Sequence, residues 1–193
     1  ILNVHDSEGV RYAEPKLKMM GIEAVKSSTP QICRDKIKEA LHIIMNEDEQ
    51  SVQDFIRKFQ EEFSQQPFEA VAFPRGISTL VPTISKTGRN IGIPIHVRGS
   101  LLYNNLINDM ELNKKYELIK DGEKIKFCYL KLPNPVRNNV ISIINVLPKE
   151  FGIEKYIDYN LQFGKTFLDP IRLILDSVGW KTEKQNTLEA LWQ

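Results

Sequence analysis

Residues 29–67 read TPQICRDKIKEALHIIMNEDEQSVQDFIRKFQEEFSQQP, and their spacing decides the fold class. Cys33, Ile37, Ala40, Leu41 and Ile44 recur every three or four positions, the period of one helix face. Thr29-Pro30 has the form of an N-cap followed by proline at the first helical position, and the pattern runs out near Asn46. Val52, Phe55, Ile56, Phe59 and Phe63 repeat it until Ser64-Gln65-Gln66-Pro67 stops it. Two helices so closely spaced form an antiparallel pair, joined here by the acidic link Glu47-Asp48-Glu49, which is expected to be solvated. Cys33 on the first stripe and His42 beside it are assigned to packing.

Downstream the period changes. Residues 68–98 hold three prolines and three glycines among short apolar stretches, so loop with brief strands is expected. His96-Val97-Arg98-Gly99 leads into Leu101, Leu102, Leu106 and Ile107, a short helix. Asp121-Gly122 stands between Tyr116–Ile119 and Lys124–Tyr129, the strongest hairpin signal in the chain, and Pro133 and Pro135 end the second strand. From Leu147 helix returns, with Ile157, Leu161, Leu168, Ile171, Leu175 and Val178 on one face. Pro170 marks either a kink or a fresh N-terminus. Upstream, Val4, Val10, Tyr12 and Leu17 alternate around the polar turn Asp6-Ser7-Glu8-Gly9, a hairpin pattern. The expected class is α+β: a short β-hairpin, then a mainly helical lobe with a small β-containing tip.

The chain has 193 residues, 41% apolar and 26% charged, with 26 basic and 25 acidic side chains. The neutral total hides an uneven distribution. Residues 31–66 carry a net −3, residues 67–137 a net +5 and residues 138–193 a net −1. A basic stretch inside a neutral chain is what one polyanion-binding face produces. No apolar run approaches the ~20 residues of a membrane span. Cys33 and Cys128 lack metal-ligand spacing and read as reduced thiols. Ile1 in place of Met suggests a fragment.

Catalytic signatures are missing. There is no phosphate-binding Gly-x-x-x-x-Gly-Lys loop, Gly-x-Ser-x-Gly elbow or His-Glu-x-x-His pair. His5, His42 and His96 share no ligand spacing, and Asp-x-Asp pairs suited to a two-metal site are absent. Binding chemistry is better represented. Lys26-Ser27-Ser28-Thr29, Pro74-Arg75-Gly76-Ile77-Ser78 and Ser85-Lys86-Thr87-Gly88-Arg89-Asn90 combine cations, hydroxyls and glycines that let backbone N–H groups approach an anion. Groups of this kind contact phosphate oxygens without reading bases.

The stretch RYAEPKLKMMGIE (residues 11–23) followed by KSSTP closely resembles the junction of palm and thumb in family B replicative DNA polymerases of T-even-type bacteriophages. The resemblance continues through the helix pair, Pro94–Gly99 with Tyr103-Asn104, Lys126–Leu130, and Tyr156–Tyr159 to Lys165–Pro170. It implies that residues 1–25 end the palm and that 26–180 form the thumb. Within the thumb it places the helix pair at 30–66, a β/loop tip at 67–137 and C-terminal helices at 147–180. The thumb would grip the primer–template duplex through its backbone, using Lys26, Ser27, Ser28, Arg75, Gly76, Ser78, Lys86, Thr87, Gly88, His96, Arg98, Gly99, Tyr103 and Asn104. The tail, 181–193, would offer Leu188, Leu191 and Trp192 to a sliding clamp, although it lacks the second aromatic of the family's clamp peptide.

The resemblance also implies what this sequence does not carry. The metal-binding aspartates, the nucleotide-selecting helix and the exonuclease carboxylates lie upstream in the family. No catalytic residue or cofactor is therefore expected here, two divalent metal ions (Mg) being expected in the complete polymerase. The isolated chain should be inactive until joined to its N-terminal portion, as a trimmed chain or the product of a split gene, in the cytoplasm of a bacterial host. The competing reading is a non-catalytic module that holds a clamp or the N-terminal polymerase part through apolar surface.

Overall fold

The computed structural model describes Ala24 and residues 26–80 and 92–184. The expected palm hairpin (1–25, of which only Ala24 falls within them), the Lys86 loop and the tail residues from 185 onward lie outside the described residues.

The helix pair forms as the periodicity predicts. Helix α1 spans Gln31–Asn46 and α2 spans Glu49–Ser64. Pro30, not Thr29, is the N-cap of α1, and no side chain caps its first turn. Thr29 is instead buried, with its N–H bonded to Lys26 O at 3.1 Å. The acidic link is structural rather than merely solvated. Asp48 caps α2 by accepting from Ser51 N at 2.9 Å, and Glu49 accepts from Lys181 N at 2.6 Å. Phe59 and Phe63 of α2 meet Phe163 and Phe167 of the C-terminal helices edge to face, with centroids 4.8–5.5 Å apart. This cluster is the core of the helical lobe.

A one-turn helix α3, Phe68–Val71, leads into strand β1, Phe73–Gly76. With β2 (Lys124–Tyr129) and β3 (Val140–Ile143) it forms an antiparallel sheet in the order β1-β2-β3. The architecture is therefore α+β. The hairpin expected across Asp121-Gly122 does not form. The turn exists, with Gly122 at φ 84°, but residues 116–119 make no strand beside β2. The Asn104 side chain occupies the edge that a strand partner would need: its amide accepts from Ile119 N and donates to Ile119 O, both at 2.8 Å. The ladder goes to β1 and to β3, whose four residues are all buried.

Helix α4, Ile95–Asp109, begins six residues earlier than the leucine pattern suggests and is fifteen residues long, so His96–Gly99 lie on it rather than before it. The C-terminal stripe also differs from expectation. Ile157 is in no helix and bridges to Leu130, while Leu161 and Val178 are exposed. Two short 3-10 turns (Lys149–Phe151 and Glu154–Tyr156) precede α5, Tyr159–Phe163. A π turn, Gly164–Leu168, then runs into α6, Asp169–Ser177. The wide turn moves the buried face onto a four-residue step, Phe163–Phe167–Ile171–Leu175. Pro170, which lacks a donor, sits just beyond it. The fully buried Gln162 joins lobe to sheet, accepting from Tyr129 N at 3.2 Å and donating to Val71 O at 2.7 Å.

Both cysteines are free and buried. Burial pushes the Cys33 thiol up to about 12 and Cys128 well above its ordinary value, as expected of inert core thiols.

Candidate nucleic-acid interface

The antiparallel register of β1 and β2 sets Arg75 opposite Ile125 and Gly76 opposite Lys124. The connector before α1 closes over this end of the sheet. Arg75 Nη1 donates to Ser28 O and to Pro74 O, each at 2.9 Å, holding the connector against β1. Its guanidinium lies 5.6 Å from the Phe73 centroid and 5.9 Å from that of Phe127. Aromatic packing thus fixes a cation that two carbonyls have already oriented. Ser27, Ser28, Pro74, Arg75, Gly76, Lys124 and Ile125 line a groove of about 340 Å³. A Cβ at Gly76 would meet nothing within 4 Å, so packing does not dictate this glycine and its backbone is open to an approaching group.

Among the described residues no carboxylate pairs with the cations of the groove. The ion pairs among the described residues involve Lys36, Lys38, Arg57, Lys115, Arg172 and Lys181, and none involves Arg75, Lys124 or Arg98. Arg98, on the first turn of α4, donates to Asn139 Oδ1 at 2.6 Å while its Nε is buried with no partner. His96 lies 6.2 Å from the Phe127 ring centroid. Burial, and secondarily the Arg75 charge, hold its pKa below the usual histidine value and so favour the neutral ring.

The fourteen residues expected at a duplex-facing surface therefore divide. Ser27, Ser28, Arg75 and Gly76 come together in one groove. Lys26 and Ser78 are exposed beside its walls in sequence, and His96 and Arg98 are half-buried on α4. Gly99, Tyr103 and Asn104 serve the interior instead. A Cβ on Gly99 would stand 2.6 Å from Ser142 Oγ, Tyr103 is 3% exposed with its hydroxyl on Glu117 O, and Asn104 is committed to Ile119. Lys86, Thr87 and Gly88, like Leu188, Leu191 and Trp192, lie outside the described residues. Lys124 is the groove residue that sequence reading missed. Its signal was only its place in the basic stretch, because facing Gly76 depends on strand register. No cluster of three or more His, Cys, Asp or Glu among the described residues could hold a metal ion, and no described helix is long and apolar enough to cross a membrane.

No family model matches the chain. It is 30% identical over 195 residues to the DNA-directed DNA polymerase of Enterobacteria phage T4, an alignment covering 99% of this chain and 21% of that protein. It is 31% identical over 192 residues to the DNA-directed DNA polymerase of Escherichia phage RB69, covering 97% of this chain and again 21% of the relative. The chain thus spans about a fifth of the length of the curated relatives it matches. Both alignments to these phage DNA polymerases extend over nearly the whole chain.

Proposed function

We propose that this chain is the C-terminal palm–thumb portion of a phage DNA-directed DNA polymerase and that it holds the primer–template duplex by its phosphate backbone. The observation that carries the reading is the groove in which Ser27 and Ser28 meet Arg75, Gly76 and Lys124. Two cations without carboxylate partners among the described residues, two hydroxyls and an open glycine backbone match the chemistry of a phosphate and offer nothing that reads a base edge. On this reading residues 1–25 end the palm, 26–180 form the thumb, and Leu188, Leu191 and Trp192 meet a sliding clamp. Nucleotide transfer, with its two divalent metal ions, belongs to the rest of the polymerase.

The chain's own residues then do two things. Arg75 and Lys124 neutralise phosphate charge, and the Ser28 carbonyl and the Phe73 and Phe127 rings keep Arg75 from swinging away. Pre-orientation lowers the entropy lost when the contact forms. Lys124→Glu, at an exposed residue with no ion-pair partner among the described residues, should weaken binding to duplex by about tenfold, roughly 1.4 kcal/mol, equally for duplexes of unrelated sequence. Fluorescence anisotropy with three such duplexes checks this. A loss confined to one of them would contradict backbone recognition.

A further inference from the structure

Helix α6 ends on a chain reversal. Gly179 adopts φ 78°, its N–H bonds Asp176 O at 3.2 Å, and Trp180 N bonds Leu175 O at 2.9 Å. These are the paired bonds that close a helix on a left-handed glycine. Trp180 is half-buried and packs on the hydrophobic core. The reversal brings the next residue to the start of α2. There Glu49 Oε1 accepts from Lys181 N at 2.6 Å, and Gln53 Nε2 donates to Lys181 O at 3.2 Å. Both backbone groups of one residue are thus held by two side chains one helical turn apart.

The grip is on the backbone rather than on the lysine side chain. Lys181 Nζ adds an ion pair with Asp176 Oδ1 at 3.5 Å, but those side chains are 56% and 50% exposed and such a pair is worth little. Past Lys181 the contact thins. Residues 182–184 face Gln50, Asp54 and Arg57 of α2 across an open groove of about 370 Å³, and they make no hydrogen bond to another described residue. Residues 181–184 form neither helix nor strand. A segment that is irregular, largely exposed and held at one residue can detach as a local event, leaving the core and Trp180 in place.

We propose that Glu49 and Gln53 are positioning residues of a releasable strap. Closed, the strap roots the C-terminal segment beside the first turn of α2. Open, it frees that segment back to Trp180. Opening adds the four residues 181–184 to whatever follows them, about 13 Å of reach at ~3.3 Å per residue. The tail with Leu188, Leu191 and Trp192 therefore has a short and a long range, selected by two side chains from the other end of the thumb sequence. Its use in meeting a clamp rests on the function proposed above, whereas the strap itself does not.

The test uses the 193-residue chain spin-labelled at Lys58→Cys on α2 and at Glu183→Cys, Cys33 and Cys128 being buried. Pulsed electron paramagnetic resonance, without duplex or clamp, should find one narrow distance in this labelled parent. Glu49→Ala/Gln53→Ala should broaden it and lengthen it by up to about 10 Å, three freed residues at ~3.3 Å each. A cooperative melt within about 4 °C of the parent verifies that the core stands. Glu49→Gln, which keeps the acceptor oxygen, and Lys181→Ala, which removes only the ion pair, should both retain the narrow distance. In Glu49→Ala the Lys181 amide should exchange with solvent about tenfold faster, and the Trp180 amide at the parent rate. A broad distance in the parent, a parent-like distance in the double variant, or equal opening by Lys181→Ala would each overturn the strap. Failure of the parent chain to bind the sliding clamp of a T-even-type phage would instead overturn the clamp reading and leave these distances unchanged.

Discussion

Phe59→Ala is expected to destabilise the chain by about 3–5 kcal/mol, the range for truncating a fully buried aromatic. Phe59 is 1% exposed and touches three other rings: Phe163 at 5.5 Å, Phe167 at 4.8 Å and Phe63 at 5.8 Å between centroids. These rings come from α2 itself and from the C-terminal helical segments, so no single element can close the cavity by moving alone. The edge-to-face geometry adds about 0.5–1.5 kcal/mol per pair beyond area burial, and losing it places the cost at the upper end. For a chain of this size the melting temperature should fall by roughly 6–20 °C. Thermal unfolding followed by circular dichroism measures it. Below the new transition, duplex affinity should match the parent, because the groove is built on the sheet and not on this cluster.

Gly99→Ala combines a stability effect with a functional one. In an isolated helix the change would gain about 1 kcal/mol. Here the added Cβ would lie 2.6 Å from Ser142 Oγ, 2.9 Å from Ser142 N and 3.1 Å from the Ile141 carbonyl carbon. The hydroxyl can turn aside only by giving up its bond to His96 O at 2.9 Å, and the backbone nitrogen belongs to β3. Helix α4 must therefore move off the sheet. Overpacking of this kind costs about 1–3 kcal/mol, and with the lost hydrogen bond a net loss near 2 kcal/mol is expected despite the helical gain. Because α4 carries His96 and Arg98, duplex affinity should fall as well. Gly76→Ala is the control, with open space around its Cβ and stability close to the parent.

Both residues illustrate how unevenly the fold can be read from sequence. The α1–α2 pair was legible because each helix writes its own buried face in three-and-four spacing, and Phe59 and Phe63 stood out within it. The sheet was not. Asp121-Gly122 marked a real turn, but Asn104, seventeen positions earlier, satisfies the backbone that a hairpin would have used. The Val140–Ile143 run shows no alternation, because β3, although at the edge of the sheet, is buried along its whole length with α4 packed against it. In the C-terminal helices Ile171 and Leu175 of the expected stripe are buried, but the π turn aligns them with Phe163 and Phe167 and leaves Leu161 and Val178 exposed, a change that 3.6-residue periodicity cannot anticipate.

The candidate site was legible in composition rather than in arrangement. Cations, hydroxyls and glycines marked the Lys26 and Arg75 segments, yet Ser28 and Arg75 are 47 residues apart and meet only through the fold. Lys124 joins them through strand register. Gly99, Tyr103 and Asn104 were placed at the duplex surface by resemblance alone. Their side chains are engaged in packing and in hydrogen bonds to the backbone of the fold.

The central claim, that this chain binds duplex through its phosphates, is tested most directly by the salt dependence of its affinity for a duplex of arbitrary sequence. About five neutralised phosphates predict a log–log slope near −4 to −5, unchanged when the duplex sequence is exchanged. A slope close to zero, or strong preference for one sequence, would contradict it.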